Sequence, residues 1–249
     1  MDGTRHPFRL LNLCVVGAQL HLEHRGYLKE GKHLNQHEFW NLIGRCRQAA
    51  GQDDRQFLQA VKRELSACSD EELGQFNGIM MEYRSIAYMP GLWEAATLIK
   101  RFCSDDSFAY FRAWLISQGK EVYLSALRCP DSLAELDIGR KCTLEAFSYV
   151  ADDVYRERTG EWFLPDSLCT LDTGLLDAMH AEIQYGDGVG VMHRAEDGRS
   201  FLPRLVKKYS GRSVWTEWTP EARETQWGSD YKSPAPEQSR GSGLSGQSL

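Results

Sequence analysis

Ser69-Asp-Glu-Glu-Leu-Gly-Gln-Phe-Asn-Gly-Ile-Met-Met-Glu-Tyr-Arg-Ser-Ile-Ala87 places apolar side chains at Leu73, Phe76, Met80, Tyr83 and Ala87. Steps of three and four residues return to one side of an α-helix, so the stretch predicts a long helix with a buried face. Ser69 and Glu72 mark its start, because at that spacing each side chain satisfies the other's free backbone donor. The same period extends outward in both directions. Phe39, Leu42, Ile43 and Cys46 form one face, Phe57, Leu58, Val61 and Leu65 another, and Leu144, Phe147, Ala151, Val154 and Tyr155 a later one. Asn35 with Glu38 and Ser132 with Glu135 repeat the capping spacing, while Gly51, Pro90 with Gly91, Gly119 and Pro130 fall between the periodic runs. The pattern predicts a mainly α protein with a single multi-helix core over residues 36–160.

Past Gly160 short apolar runs alternate with Pro165, Gly174, Gly186, Gly188, Gly190, Gly198 and Pro203. This reads as an irregular C-terminal wrap over 161–231. Tyr185 to His193 is a candidate β-hairpin, since Gly186-Asp-Gly188 supplies the positive backbone angles of tight turns, and Leu202 to Tyr209 is a candidate last helix. Residues 232–249 are Ser, Gly, Pro and Gln with too few apolar side chains to offset ordering entropy, which predicts a disordered tail. Residues 1–35 read as an N-terminal extension packing on the core.

Hydrophobic content of 42% and charged content of 26% are those of a globular chain. Leu10 to Leu20 is broken by Asn12, Gly17 and Gln19 and is short of the about 20 apolar residues of a bilayer span. It also lacks a cleavage site before His21, Glu23, His24 and Arg25. Seven scattered cysteines without paired spacing predict reduced thiols, and with them a cytoplasmic protein. A net charge of −6 gives no basic footprint for nucleic acid. Arg204, Lys207, Lys208 and Arg212 read as a solvated run.

Cys103-Ser-Asp-Asp-Ser-Phe-Ala-Tyr-Phe-Arg-Ala-Trp-Leu-Ile-Ser-Gln-Gly-Lys-Glu-Val-Tyr123, followed by Pro130-Asp-Ser-Leu-Ala134, resembles the signature of a bacterial domain family of unknown function, the 4240 family. His37-Glu-Phe-Trp-Asn-Leu-Ile43 and the helix with Glu145, Phe147 and Tyr149 sit where that family would have them. The resemblance covers residues 36–160. It implies a helical bacterial domain and carries over no catalytic residue.

Ser104 is placed to cap a helix whose first turn holds Asp105 and Asp106, where negative charge is favoured. The same two carboxylates also suit cation coordination or acid–base work. Arg112 follows on a helix that Phe108, Phe111, Trp114, Leu115 and Ile116 surround, so its guanidinium needs partners. It either pins helices through an acid such as Glu145 or Asp106, or binds an anionic ligand with Arg84 and Tyr88. Trp215, Trp218 and Trp227 either clamp their segment onto the core or form an aromatic patch for a partner. His33 and His37 share a helical face at a zinc-site spacing, yet Asn35 caps a helix between them and no further ligand motif accompanies them, so no metal is expected.

Gly186-Asp-Gly188-Val-Gly190 lacks the residues of a phosphate loop, and there is no Gly-x-Ser-x-Gly elbow. No cofactor is therefore predicted, and whether the chain is an enzyme stays open. The favoured reading is a protein-interaction or regulatory module with a protein partner, and the alternative is a ligand-binding protein or enzyme with an anion or metal site near Asp105, Asp106 and Arg112. Oligomeric state is not legible.

Overall fold

The computed structural model describes residues 34–139, 142–193 and 195–209. Among these the regular elements are helical and no strand occurs. The fold is mainly α with a multi-helix core, as the periodicity predicts. The helices are α1 (Gln36–Ala50), α2 (Asp54–Leu65), α3 (Asp70–Ile86), α4 (Pro90–Lys100), α5 (Asp105–Ser117) and α6 (Lys120–Arg128). Two 3₁₀ segments follow, Pro130–Glu135 and Glu145–Tyr149, then α7 (Val150–Thr159), α8 (Asp166–Cys169), α9 (Thr173–Ala181), α10 (Ala195–Phe201) and α11 (Pro203–Lys208). None of these helices is long and apolar enough to cross a membrane.

The capping signals resolve into two kinds. Asn35 with Glu38 and Ser69 with Glu72 form complete capping boxes on α1 and α3. Ser132 does not start a helix, because Pro130 already opens a 3₁₀ segment there and Glu135 turns to Arg204 at 2.6 Å. The hairpin expected between Tyr185 and His193 does not form: successive turns closed by Val189 N–H to Gly186 O and Val191 N–H to Gly188 O take the place of a ladder. Among the described cysteines no disulfide is formed, and burial pushes Cys46, Cys68 and Cys142 up to about 12 and Cys103 to about 11. Residues 1–33 of the N-terminal extension, His33 among them, the tail, Trp215, Trp218 and Trp227 lie outside the described residues.

The chain groups into two compact units interleaved in sequence. In the unit holding residues 34–87, 113–124 and 144–184, rings make the core. Phe39 lies 5.0 Å from Phe76, Trp40 packs on Tyr83 and Tyr123, and Phe57 meets Phe147 edge-on at 5.2 Å. Gly74 and Gly78, one turn apart on α3, let the backbone of residues 168–171 approach so closely that a methyl group at Gly78 would sit 2.2 Å from the Cys169 carbonyl oxygen. In the unit holding 88–112, 125–143 and 185–209, residues 91–99 of α4 are all buried and Trp93 stacks on Phe108 at 4.5 Å. Two acids there tie distant segments down. Glu94 accepts the backbone N–H of His193 at 2.5 Å and pairs with its Nδ1 at 2.9 Å, and Asp131 accepts the backbone N–H groups of Arg204 and Leu205.

Candidate functional site

The 3₁₀ turn Glu145–Tyr149 runs directly into α7, and the two share one buried face. Phe147, Val150, Ala151 and Val154 are at most 5% exposed. Burial at those positions commits the intervening ones to the other side, so Glu145, Tyr149, Asp152 and Arg156, spaced by four, three and four, form a stripe with Asp153 beside it. Helix α7 is held from below. Arg158 bonds the carboxylate of Asp70 at 3.0 Å and the carbonyls of Leu65 and Ser66, and Lys62 pairs with Glu157 at 2.6 Å.

The helix ends at Gly160, whose φ of 84° is the left-handed cap conformation that glycine adopts without a Cβ penalty. From there the chain doubles back, and the Leu164 N–H donates to Asp152 Oδ1 at 2.9 Å. Leu164 is buried, while the two residues before it, Trp162 and Phe163, are 67% and 69% exposed. The return stroke and the stripe enclose an open cleft of about 360 Å³, lined by Glu145, Ala146, Tyr149, Asp152, Asp153, Arg156, Trp162 and Phe163. Three carboxylates face one guanidinium. Arg156 pairs with Asp153 at 2.6 Å and lies over the Trp162 ring, 4.8 Å from its centroid. Burial at the cleft floor raises Asp152 above the usual aspartate value, against the Leu164 N–H that lowers it, and the neighbouring Asp153 charge raises it further.

The residues singled out from the sequence lie elsewhere. Ser104 does cap α5, accepting the Ser107 N–H at 3.3 Å, and Asp105 and Asp106 occupy the exposed first turn. Arg112 is buried, with its guanidinium 4.6 Å from the centroid of Tyr88 and 5.0 Å from that of Phe108, and the Tyr88 hydroxyl is 3.4 Å from Asp105 Oδ1. Tyr88, Asp105 and Arg112 are thus brought together, and Arg84 is a residue of α3. None of the five lines the cleft. His37 is exposed in the first turn of α1, and no cluster of three or more metal-ligating side chains occurs among the described residues.

Apolar spacing marks the buried face of α7 and not its polar one, and of the cleft lining the sequence singles out only Glu145 and Tyr149, neither as part of this site. The signal that would have found them is an acidic stripe, a glycine stop and a Trp-Phe pair within nineteen residues, 145–163.

Comparison with curated proteins and with solved structures gave no match. Residues 34–157 match a family described as "protein of unknown function (DUF4240)". Over that segment the chain belongs to the DUF4240 family.

Proposed function

We propose that the chain is a protein-interaction module whose cleft between α7 and residues 162–163 docks a short segment of a partner protein, one with a cationic side chain beside an aliphatic one. The observation that carries this is the meeting, in one open cleft, of exposed Tyr149, Trp162 and Phe163 with the carboxylates of Glu145, Asp152 and Asp153. Exposed rings gathered at one place supply large contact area at small entropic cost, as at interface hot spots. The excess of carboxylates supplies sign selectivity. A cleft of about 360 Å³ accommodates one or two side chains rather than a whole protein face.

The anion-site reading at Asp105, Asp106 and Arg112 has less support. Arg112 lies across two aromatic faces, and the two aspartates sit in a helix first turn that already explains them.

The test is fluorescence anisotropy with a short fluorescein-labelled peptide of alternating Arg and Leu. Trp162→Ala is expected to weaken binding by at least about 2 kcal/mol, roughly thirty-fold, as loss of a central aromatic does. Phe102→Ala, which removes an equally exposed ring outside the cleft, should leave it unchanged. Equal affinities for the two variants would overturn the reading.

A further inference from the structure

One cation already sits in this cleft, and it belongs to the chain. The Arg156 guanidinium lies 4.8 Å from the Trp162 ring centroid with Asp153 Oδ1 at 2.6 Å from its Nη2. An aromatic face beside a carboxylate is the pair of contacts an incoming arginine requires: attraction to the ring quadrupole and a charge-assisted hydrogen bond. We infer that Arg156 fills, from within the chain, the subsite that takes the partner's cation, so that partner binding is a displacement and the preferred cation is a guanidinium. This rests on the cleft being a docking surface.

Arg156 is held weakly enough to leave. Its pairing with Asp153 joins neighbours three residues apart on one helix, with side chains 39% and 38% exposed, the kind of ion pair that adds little to stability. When it swings into solvent, the helix beneath is unaffected, because the anchoring of α7 runs through Arg158, Lys62 and the buried Phe147 and Val154. The vacated place then presents three carboxylates with no internal cation. A planar guanidinium stacks on the indole as Arg156 does, whereas a compact, strongly hydrated ammonium gains less there, so arginine outranks lysine.

The experiment uses the full chain and three labelled peptides in which Arg, Lys or Glu alternates with Leu. The wild type should bind Arg–Leu best, Lys–Leu less well and Glu–Leu not at all. Arg156→Ala and Arg156→Gln should each bind Arg–Leu more tightly, by about three- to ten-fold, since a competing cation–π and ion-pair contact is removed. Arg45→Ala serves as the charge control, because Arg45 is exposed, pairs with Glu64 at 3.1 Å and lies outside the cleft. It should give less than half that gain. Unchanged or weaker binding by the Arg156 variants overturns the inference, and so does an equal gain in Arg45→Ala. If Arg–Leu binds neither the wild type nor the Arg156 variants, the docking reading itself falls and takes this one with it. If it binds all of them with Trp162→Ala still the weakest, the docking reading stands and the Arg156 result alone decides.

Discussion

Substituting alanine for glycine in a helix interior normally stabilises it, by about 1 kcal/mol, because glycine loses more backbone entropy on folding. Gly44 in α1 and Gly78 in α3 offer the same substitution with opposite expected signs. At Gly44 an added Cβ meets nothing within 4 Å, so Gly44→Ala should stabilise by about 0.5–1 kcal/mol. At Gly78 the Cβ would lie 2.2 Å from the Cys169 carbonyl oxygen and 2.8 Å from Leu171 Cδ2. The first of these is backbone and has no rotamer to escape into. Residues 168–171 must therefore withdraw from α3 by about 1 Å to restore ordinary contact, and overpacking of this kind costs about 1–3 kcal/mol. Subtracting the propensity gain of about 1 kcal/mol leaves Gly78→Ala destabilised by up to about 2 kcal/mol. Gly74→Ala, whose Cβ would lie 2.4 Å from the Leu168 carbonyl oxygen, should behave alike, and the double variant less than additively because both press on one segment. Urea unfolding followed by circular dichroism measures each midpoint at constant m. A Gly78→Ala midpoint at or above wild type, with Gly44→Ala raised, would refute the claim that the two glycines exist for backbone approach.

Two further outcomes follow from buried or half-buried acids. Helix α11 is preceded at its capping position by Leu202, which has no side-chain oxygen to cap it, and Asp131 supplies the missing acceptor to the N–H groups of Arg204 and Leu205 at 3.0 and 2.8 Å while itself 4% exposed. Asp131→Ala should cost about 2 kcal/mol, with Asp131→Asn recovering part of it. Amide hydrogen exchange over 204–209 is the readout, and unchanged protection in Asp131→Ala would contradict the capping role. Asp152 titrates above its ordinary 3.8 in the folded chain, chiefly through burial, so its ionisation disfavours folding. The stability held by its protonated form is complete below 3.8 and is lost as pH rises through the raised folded value. Asp152→Asn, which keeps the acceptor for the Leu164 N–H, should accordingly raise the melting temperature at neutral pH and make no difference in acid. A gain that persists undiminished in acid would show that ionisation of Asp152 is not its source.

The helical class and the caps at Asn35, Ser69 and Ser104 were legible because both are local. Apolar spacing and the capping residues operate within four or five positions of one another. What stayed hidden depends on residues far apart in sequence. Asp131 caps a helix 73 residues away, and Glu94 fixes His193 from a distance of 99. Gly74 and Gly78 look like weak points in a helix until residues 168–171 are laid against them. Ser132 and Glu135 had the spacing of a capping box, but Pro130 set a tighter turn and Arg204 engaged the glutamate. Arg112 was recognised as a buried charge needing company. That its company includes the faces of Tyr88 and Phe108 was not to be read from a search for acids.

The cleft itself is almost wholly local, and it was missed for a different reason. Its lining comes from residues 145–163, close enough for spacing rules to apply throughout. Apolar periodicity identifies what is buried, and function at a docking surface resides in what the same periodicity leaves out. On α7 the buried face and the stripe 145, 149, 152, 156 are complementary readings of one repeat. What spacing does not supply is the turn: Gly160 in the left-handed conformation and the Leu164 N–H on Asp152 carry Trp162 and Phe163 back along the helix they have just left. The family match ends at residue 157, between the stripe and those rings. The carboxylates therefore belong to the matched segment and the indole face to the residues that follow it. The proposed docking of a partner's cation draws on both, so it belongs to the junction, and neither side of it suffices alone.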